Sequence, residues 1–330
     1  VTQVEGNHVN GGHRELLAGL LPTLRAFAIP LRTRFRGITV REGALLRGPA
    51  GWGEFSPFAE YGPAESSRWL ASAIESAAVG WPPPVRTAVG VNATIPAVGP
   101  QAAHDIAARS GCRTAKVKVA EAGQGERDDL DRVAAVRDAL GPAGRIRVDA
   151  NGGWDVGQAA SMLRRLGRYG LEYAEQPCAT LDELARLRRL VDVRVAADES
   201  IRKASDPHAV RAAGAADIVV LKVAPLGGVR VALRVAAECG LPVVVSSALE
   251  SSVGLAAGVA LAAALPELTY DCGLGTMQLL TGDVTSRPLL PEGGMLAVGA
   301  REVEPVPIAA WECDPAPWRR RVLAAAEFLG

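Results

Sequence analysis

Lysine is nearly missing from this chain. It has 36 Lys plus Arg, and only Lys116, Lys118, Lys203 and Lys222 are lysine. Three of these four stand in apolar, strand-like runs: Thr114-Ala115-Lys116-Val117-Lys118-Val119 and Ile218-Val219-Val220-Leu221-Lys222. Arginine stays protonated in proteins, whereas lysine can lose its proton where its surroundings favour the neutral form. A chain that takes arginine for positive charge almost everywhere, yet keeps lysine inside hydrophobic strands, is suited to chemistry that needs a neutral amine.

Other absences exclude whole classes. The five cysteines (Cys112, Cys178, Cys239, Cys272 and Cys313) are odd in number and far apart. Neither a disulfide framework nor a zinc site is therefore expected, and a reducing cytoplasm fits. Formal net charge is zero and no long run carries one sign, so neither nucleic acid nor an anionic membrane is an expected partner. The Arg319-Arg320-Arg321 cluster reads as a solvated helix face. No apolar run approaches the roughly 20 residues of a membrane span. The first residues, with His8 and His13, lack the charged start and apolar core of a signal peptide and read as a mobile tail. None of the four histidines (His8, His13, His104, His208) falls at a strand end, and no glycine fingerprint of a dinucleotide site follows a first strand.

What is present is an ordinary globular composition, 48% hydrophobic and 22% charged over 330 residues, enough for one large domain and a smaller one. After a tail over 1–20, strands are expected over 24–31, 37–46 and 51–55, then a helix over 65–78. Trp81-Pro82-Pro83-Pro84 punctuates the chain and marks a boundary. The rhythm then changes to short β-rich runs starting near residues 88, 114, 145, 172, 194, 217, 241 and 268, with helices between them. Eight strands alternating with helices predict a (β/α) barrel over 88–284, with a doubly wound open sheet as rival. Residues 21–87 would form most of an α+β cap, and 285–330 a C-terminal segment returning to it. Gly227-Gly228 ahead of a helix reads as a loop in preference to a phosphate cradle.

In a barrel the polar residues late in each strand converge at one mouth. The second strand ends in Lys116 and Lys118, the third in Asp149 and Asn151, the fourth in Glu175, the fifth in Asp198 and the sixth in Lys222. Three carboxylates from adjacent strands suit a hard divalent cation, Mg²⁺ with Mn²⁺ as a possible substitute. The second and sixth strands of an eight-stranded ring lie opposite each other, so Lys118 and Lys222 would face a flat substrate from its two sides. The nearby Lys116 and a divalent cation would both lower the pKa of Lys118 toward that of a working general base. The cation would stabilise an enediolate formed when a proton leaves the carbon beside a carboxylate.

The motifs Lys116-Val117-Lys118, Asp149-Ala150-Asn151, Glu175-Gln176-Pro177, Asp198-Glu199 and Lys222 together resemble the enolase superfamily, in its muconate-cycloisomerase-like group. That resemblance spans nearly the whole chain and implies a modified TIM barrel, (β/α)7β, with an α+β capping domain built from both ends. It implies Asp149, Glu175 and Asp198 as metal ligands, and Lys118, Lys222 and Lys116 as the catalytic set. Three segments, 35–43, 51–58 and 246–254, resemble the o-succinylbenzoate synthases within this group. They imply a small carboxylate substrate and a Mg²⁺-dependent dehydration giving 2-succinylbenzoate in menaquinone biosynthesis. Lys118 would then abstract the proton and Lys222 would lie over the other face as a cation. Asn151, Ser246 and Ser247 are the implied substrate-binding residues, the serines closing the seventh strand where the succinyl arm would bind. A cap loop over 31–37 would offer Arg32, Arg34 and Arg36 to a carboxylate.

Two other enzyme readings use a barrel lysine. An N-succinylamino acid racemase or dipeptide epimerase needs the same lysine pair and metal but returns the proton. A Schiff-base aldolase has no use for the carboxylate trio. A non-catalytic binding module would have no use for either set. Oligomeric state leaves no mark in the sequence.

Overall fold

The computed structural model describes residues 12–201, 206–299 and 310–330. It begins with helix α1 (Gly12–Leu20), followed by three antiparallel strands, β1 (Arg25–Phe35), β2 (Ile38–Gly48) and β3 (Gly51–Phe55), and helix α2 (Pro63–Ile74). The tail expected over 1–20 is thus a helix from residue 12, because Leu17 and Leu20 are apolar at helical spacing and bury in the cap core. Residues 1–11 lie outside the described residues. The long β1–β2 hairpin turns at Arg36-Gly37, both with positive φ.

Strand β4 (Ala88–Gly90) leads into the barrel. Its units are β5 (Ala93–Ile95), α3 (Pro100–Arg109), β6 (Thr114–Lys118), α4 (Glu126–Leu140), β7 (Arg145–Asp149) and α5 (Val156–Leu166). They continue with β8 (Leu171–Glu175), α6 (Leu181–Arg188), β9 (Val195–Ala197), α7 (Asp206–Ala212) and β10 (Ile218–Leu221). The short α8 (Val223–Leu226), α9 (Val229–Cys239), β11 (Val243–Val245) and α10 (Ser252–Ala264) complete it. Strands β5 to β11 form one parallel sheet in chain order. Parallel bridges from Val91 to Cys272 and from Ser246 to Gly273 carry the sheet round to its own start, which excludes the open doubly wound rival. The eighth strand, expected near 268, is reduced to these two bridges.

Sequence chemistry accounts for the local structure. The barrel strands are rich in Val, Ile and Ala and buried on both faces, as parallel strands under helices must be. Helix α5 starts on a reciprocal cap: Asp155 accepts from the Gln158 amide (2.9 Å) while Gln158 Oε1 accepts from the Asp155 amide (3.2 Å). Thr180 and Glu183 repeat the device. Helix α10 is apolar all round and buried, as its Ala- and Val-rich sequence requires. Inside the barrel, below Asp149, the buried Arg147 donates to Glu172 (2.6 Å), Asn92 Oδ1 (3.1 Å) and the Asp271 carbonyl (2.6 Å). It thereby ties the third and fourth strands to the two ends of the ring.

The C-terminal segment divides its attachments. Strand β12 (Met295–Ala297) pairs with β4 at the barrel entrance, whereas β13 (Glu312–Cys313) adds to β1 of the cap sheet. Helix α11 (Pro315–Ala326) packs Trp318, Val322 and Ala325 into the cap core. Cap and barrel are also joined by buried carboxylates. Glu75 accepts from the amides of Val229 (2.5 Å) and Arg230 (3.2 Å) at the start of α9. Glu54 accepts from the amides of Ser251 (3.1 Å) and Gly254 (3.1 Å) at the start of α10. Anions at helix N-termini satisfy amides that have no partner within the helix. Glycine makes room in both places: a Cβ on Gly228 would collide with Glu75, and one on Gly254 would lie 3.0 Å from Glu54 Cδ. The anion at the Gly227-Gly228 helix start is therefore a side chain of the protein itself.

Candidate active site

The polar ends of the barrel strands meet at one mouth. Lys118 Nζ lies 2.6 Å from Asp149 Oδ2 and donates to Asn151 Oδ1 at 2.5 Å. Lys116 Nζ, on the same face of β6, reaches Glu175 Oε1 (2.7 Å) and Asp149 Oδ2 (3.1 Å). Lys222, at the end of β10, lies 2.5 Å from Asp198 Oδ2. All three lysines and all three acids are buried. Lys118, Lys222 and Asp149 line one cleft, with Phe35 and Arg36 of the hairpin tip in its wall on the cap side. Lys118 Nζ lies 5.3 Å from the Phe35 ring centre.

The strands fix this geometry. Alternation along β6 puts Lys116 and Lys118 inward, and register sets Lys118 beside Asp149 and Asp149 beside Glu175. Two turns with positive φ follow, at Asn151 and Gln176. The fully buried Gln176 spans the neighbouring loops: its amide group donates to the Cys178 carbonyl (2.9 Å) and Ser200 Oγ (2.9 Å). Its oxygen accepts from the Asp198 amide (3.0 Å), which fixes the backbone carrying the third acid.

Burial and crowding shift the charges in opposite directions. Burial, reinforced by the Asp149 carboxylate, pushes the Glu175 carboxyl up to about 7. Burial opposes the Asp149 carboxylate too, but Lys118 and Lys116 together hold its pKa below the usual carboxylate range. The Lys118 amine is lowered by burial and by repulsion from Lys116, against the pull of Asp149. Lys116, bracketed by Glu175 and Asp149, is raised in spite of its burial. Two lysines two residues apart are thus pushed apart in basicity, the direction a base and its helper require.

The oxygen-only donor set formed by Asp149, Glu175 and Asp198 fits a hard cation, and the buried Glu175 Oε2 has no hydrogen-bond partner among the described residues. As the side chains stand, the acids are turned to the lysines. Among the described residues no three His, Cys, Asp or Glu side chains close round a common point.

Of the implied substrate-binding residues, Asn151 has its oxygen on Lys118 and its Nδ2 on Glu199 Oε1 (3.1 Å). Ser246 and Ser247 both line the cleft. The Ser247 hydroxyl donates to Glu250 Oε2 (2.7 Å) and accepts from the Leu249 amide (2.8 Å) and Thr276 Oγ1 (2.8 Å). Its capacity is full, so it braces its own loop. The Ser246 hydroxyl donates to the Gly273 carbonyl at 3.4 Å. Arg36 lines the cleft, whereas Arg32 and Arg34 are not among its walls. Lys203 and His8 lie outside the described residues.

Sequence reasoning missed Thr94, whose buried hydroxyl has no hydrogen-bond partner among the described residues and lines the cleft beside Lys116. A lone threonine in a strand carries no signal. Arg41, Glu54 and Glu250 stand inside the segments 35–43, 51–58 and 246–254 that carry the resemblance, but nothing local in those segments assigns them a role. A separate hollow between the Pro82-Pro83-Pro84 linker and α10 has no ionisable side chain in its wall, so the chemistry belongs to the barrel mouth.

Comparison with known proteins bears on the same residues. Residues 100–325 match the family described as Enolase C-terminal domain-like, and residues 26–77 the one described as Enolase N-terminal domain-like. A protein of Thermobifida fusca (strain YX) named o-succinylbenzoate synthase is 67% identical over 303 residues, spanning 92% of this chain and 96% of the relative. Muconate cycloisomerase from Pseudomonas fluorescens superposes with a TM-score of 0.75 at 24% identity, covering 88% of this chain and 98% of its own. A dipeptide epimerase from Enterococcus faecalis V583, complexed with Mg and the dipeptide L-Leu-L-Tyr, superposes with a TM-score of 0.71 at 21% identity, covering 84% and 96%.

Proposed function

We infer that this chain, which belongs to the enolase superfamily, is an o-succinylbenzoate synthase, dehydrating 2-succinyl-6-hydroxy-2,4-cyclohexadiene-1-carboxylate to 2-succinylbenzoate. The observation that carries the reading is the pair Lys118 and Lys222, opening onto one cleft from strands four apart in the ring, with three acids on the strands between. The relative at 67% identity bears that name. The product places the reaction in the making of menaquinone.

The chain's own residues have separable tasks. Lys118, with its pKa lowered by burial and Lys116, takes the proton from the carbon beside the ring carboxylate. Lys116 remains charged between Glu175 and Asp149 and keeps Lys118 poised for that step. Lys222 stands as a cation toward the opposite face of the ring, where the negative charge spreads as the proton leaves. The protonated Lys118 then returns that proton to the departing ring hydroxyl, so that the C–O bond breaks, water leaves and the aromatic ring is complete. Phe35 and Arg36 close the cleft on the cap side and exclude solvent. Asp149, Glu175 and Asp198 would hold Mg²⁺, or Mn²⁺ in its place, and when bound that ion stabilises the charge developing on the substrate carboxylate.

The substrate is a small carboxylate, and neither nucleic acid nor a membrane is proposed as a partner. Among the described residues no helix is long and apolar enough to cross a membrane. All five cysteines are free, and four are buried, which supports a cytoplasmic setting.

A spectroscopic dehydration assay with the cyclohexadiene substrate, with and without Mg²⁺, tests the reading. Turnover that depends on the ion supports it, and no turnover under either condition refutes it. The facing lysines also suit an N-succinylamino acid racemase or dipeptide epimerase. Faster deuterium exchange into an N-succinylamino acid than dehydration of the cyclohexadiene would favour that reading.

A further inference from the structure

We propose that Arg41, in the cap, is a positioning residue that sets the wall of the cleft on its Lys222 side by holding the barrel loop 246–251 in place. This rests on the synthase reading for its substrate, and deepens it by assigning where the substrate's fit is controlled.

Arg41 is buried in β2 at 2% exposure, and among the described residues its guanidinium bonds to backbone carbonyls and a serine hydroxyl. Nε donates to the Leu249 carbonyl (2.9 Å), and Nη2 donates to the Ser56 carbonyl (2.5 Å), to Ser56 Oγ (2.9 Å) and to the Ala248 carbonyl (3.4 Å). A buried cation with its hydrogen bonds on backbone carbonyls is a rigid fork, because each lost bond would leave a charged donor unmet. What it grips is a strained turn: Leu249 has φ +67°, which a leucine adopts only when its surroundings impose it.

The other side of the turn is held as firmly. Glu250 accepts from the Ala248 amide (2.7 Å) and Ser247 Oγ (2.7 Å). Glu54 receives Ser251 Oγ (2.5 Å) and is joined to Arg41 through Ser56, whose hydroxyl donates to Glu54 Oε1 at 2.6 Å. Ser246, Ser247, Ala248 and Leu249 all line the cleft. Arg41 reaches the opposite wall as well. The guanidinium carbons of Arg41 and Arg36 lie 4.6 and 4.4 Å from the ring centre of Phe58, and Arg36, at the hairpin tip, lines the cleft. One buried side chain therefore fixes the spacing between the two walls that meet the substrate from cap and barrel. Lys118 and its acids lie on other strands and make no contact with it.

The test is steady-state kinetics of Arg41→Lys and of the milder Ser56→Ala. Lysine keeps the charge but has one nitrogen, which cannot reach both Leu249 and Ser56 in the same fork. The expected result for Arg41→Lys is a KM raised about tenfold with kcat within about threefold, the signature of lost uniform binding. Ser56→Ala should shift KM in the same direction by less. Backbone amide exchange at Ala248 and Leu249 should accelerate in Arg41→Lys while the barrel strands stay protected. A fall in kcat with KM unchanged overturns the proposal, as do unchanged kinetics and unchanged exchange in both variants. Should the wild-type protein show no synthase turnover, the function fails separately. The exchange experiment then decides alone, accelerated exchange confined to the loop upholding the positioning role and unaltered exchange ending it.

Discussion

Glu54 of the cap and Ser251 of the barrel are joined twice, by the serine hydroxyl at 2.5 Å and by its amide at 3.1 Å, across 197 residues of sequence. The carboxylate serves as the N-terminal cap of a helix in another domain, at the level where the two domains enclose the cleft.

That junction should give stability a pH slope. Burial pushes the Glu54 carboxyl up to about 7, against the pull of Arg41, Ser251 and Ser56. The unfolded chain releases this proton near its ordinary value of 4.5, while the folded protein keeps it until about 7. The group's contribution is therefore fully present below about pH 4.5 and declines as pH rises through about 7. The wild type should lose roughly 3 kcal/mol relative to Glu54→Gln over that window. Urea unfolding of both proteins from pH 4.5 to 8 checks this, and parallel curves would contradict it.

The lysines are expected to be separable from folding. In Lys118→Ala, Asp149 retains Lys116 at 3.1 Å and is not stranded as a lone buried charge. The variant should fold and lose about 10³-fold or more in kcat, as should Lys222→Ala. Lys118→Arg should fail equally, since a guanidinium does not act as a base at neutral pH. Circular dichroism beside the dehydration assay measures both halves, and near-normal turnover in any of the three would remove its assigned role.

Metal binding should be visible without catalysis. An ion held by Asp149, Glu175 and Asp198 in the folded state alone stabilises that state by about 2.7 kcal/mol at a hundredfold excess over Kd. Thermal unfolding of the EDTA-treated wild type should shift upward as Mg²⁺ is added. Asp149→Asn and Glu175→Gln should not respond, and an equal response from these variants would locate the ion elsewhere.

Gly254→Ala should destabilise the protein by about 1–3 kcal/mol. The added carbon would lie 2.7 Å from Glu250 Cβ and 3.0 Å from Glu54 Cδ, both held by hydrogen bonds that resist movement. Chemical denaturation provides the number, and a neutral substitution would mean that the start of α10 yields more readily than its contacts imply.

Much of this architecture is written locally, which is why it could be read. Lys116-Val117-Lys118 announces its shared face through the two-residue period of a strand, and Asp149, Glu175 and Asp198 announce theirs by recurring at strand ends. The eighth strand was harder, because Cys272 and Gly273 contribute single bridges and no apolar run. Helix α1 was missed because nine residues, with one buried leucine at each of two positions, carry little periodic signal. The placement of β12 against β4, and of Arg41 against Leu249, depends on contacts some 200 residues apart, to which no local pattern refers. Ser247 shows the remaining gap: its position at the cleft was legible, but the use of its hydroxyl was decided by Glu250 and Thr276.

Two helices of the barrel begin on carboxylates that belong to a different part of the polypeptide, Glu75 for α9 and Glu54 for α10. A gene divided at the triple-proline linker would make one fragment in which the Val229, Arg230, Ser251 and Gly254 amides lose their carboxylate partners, and another in which Glu75 and Glu54 lose those helix starts. Each piece would carry the other's missing half, so such fragments should be poorly behaved when made singly and should recover only when made together.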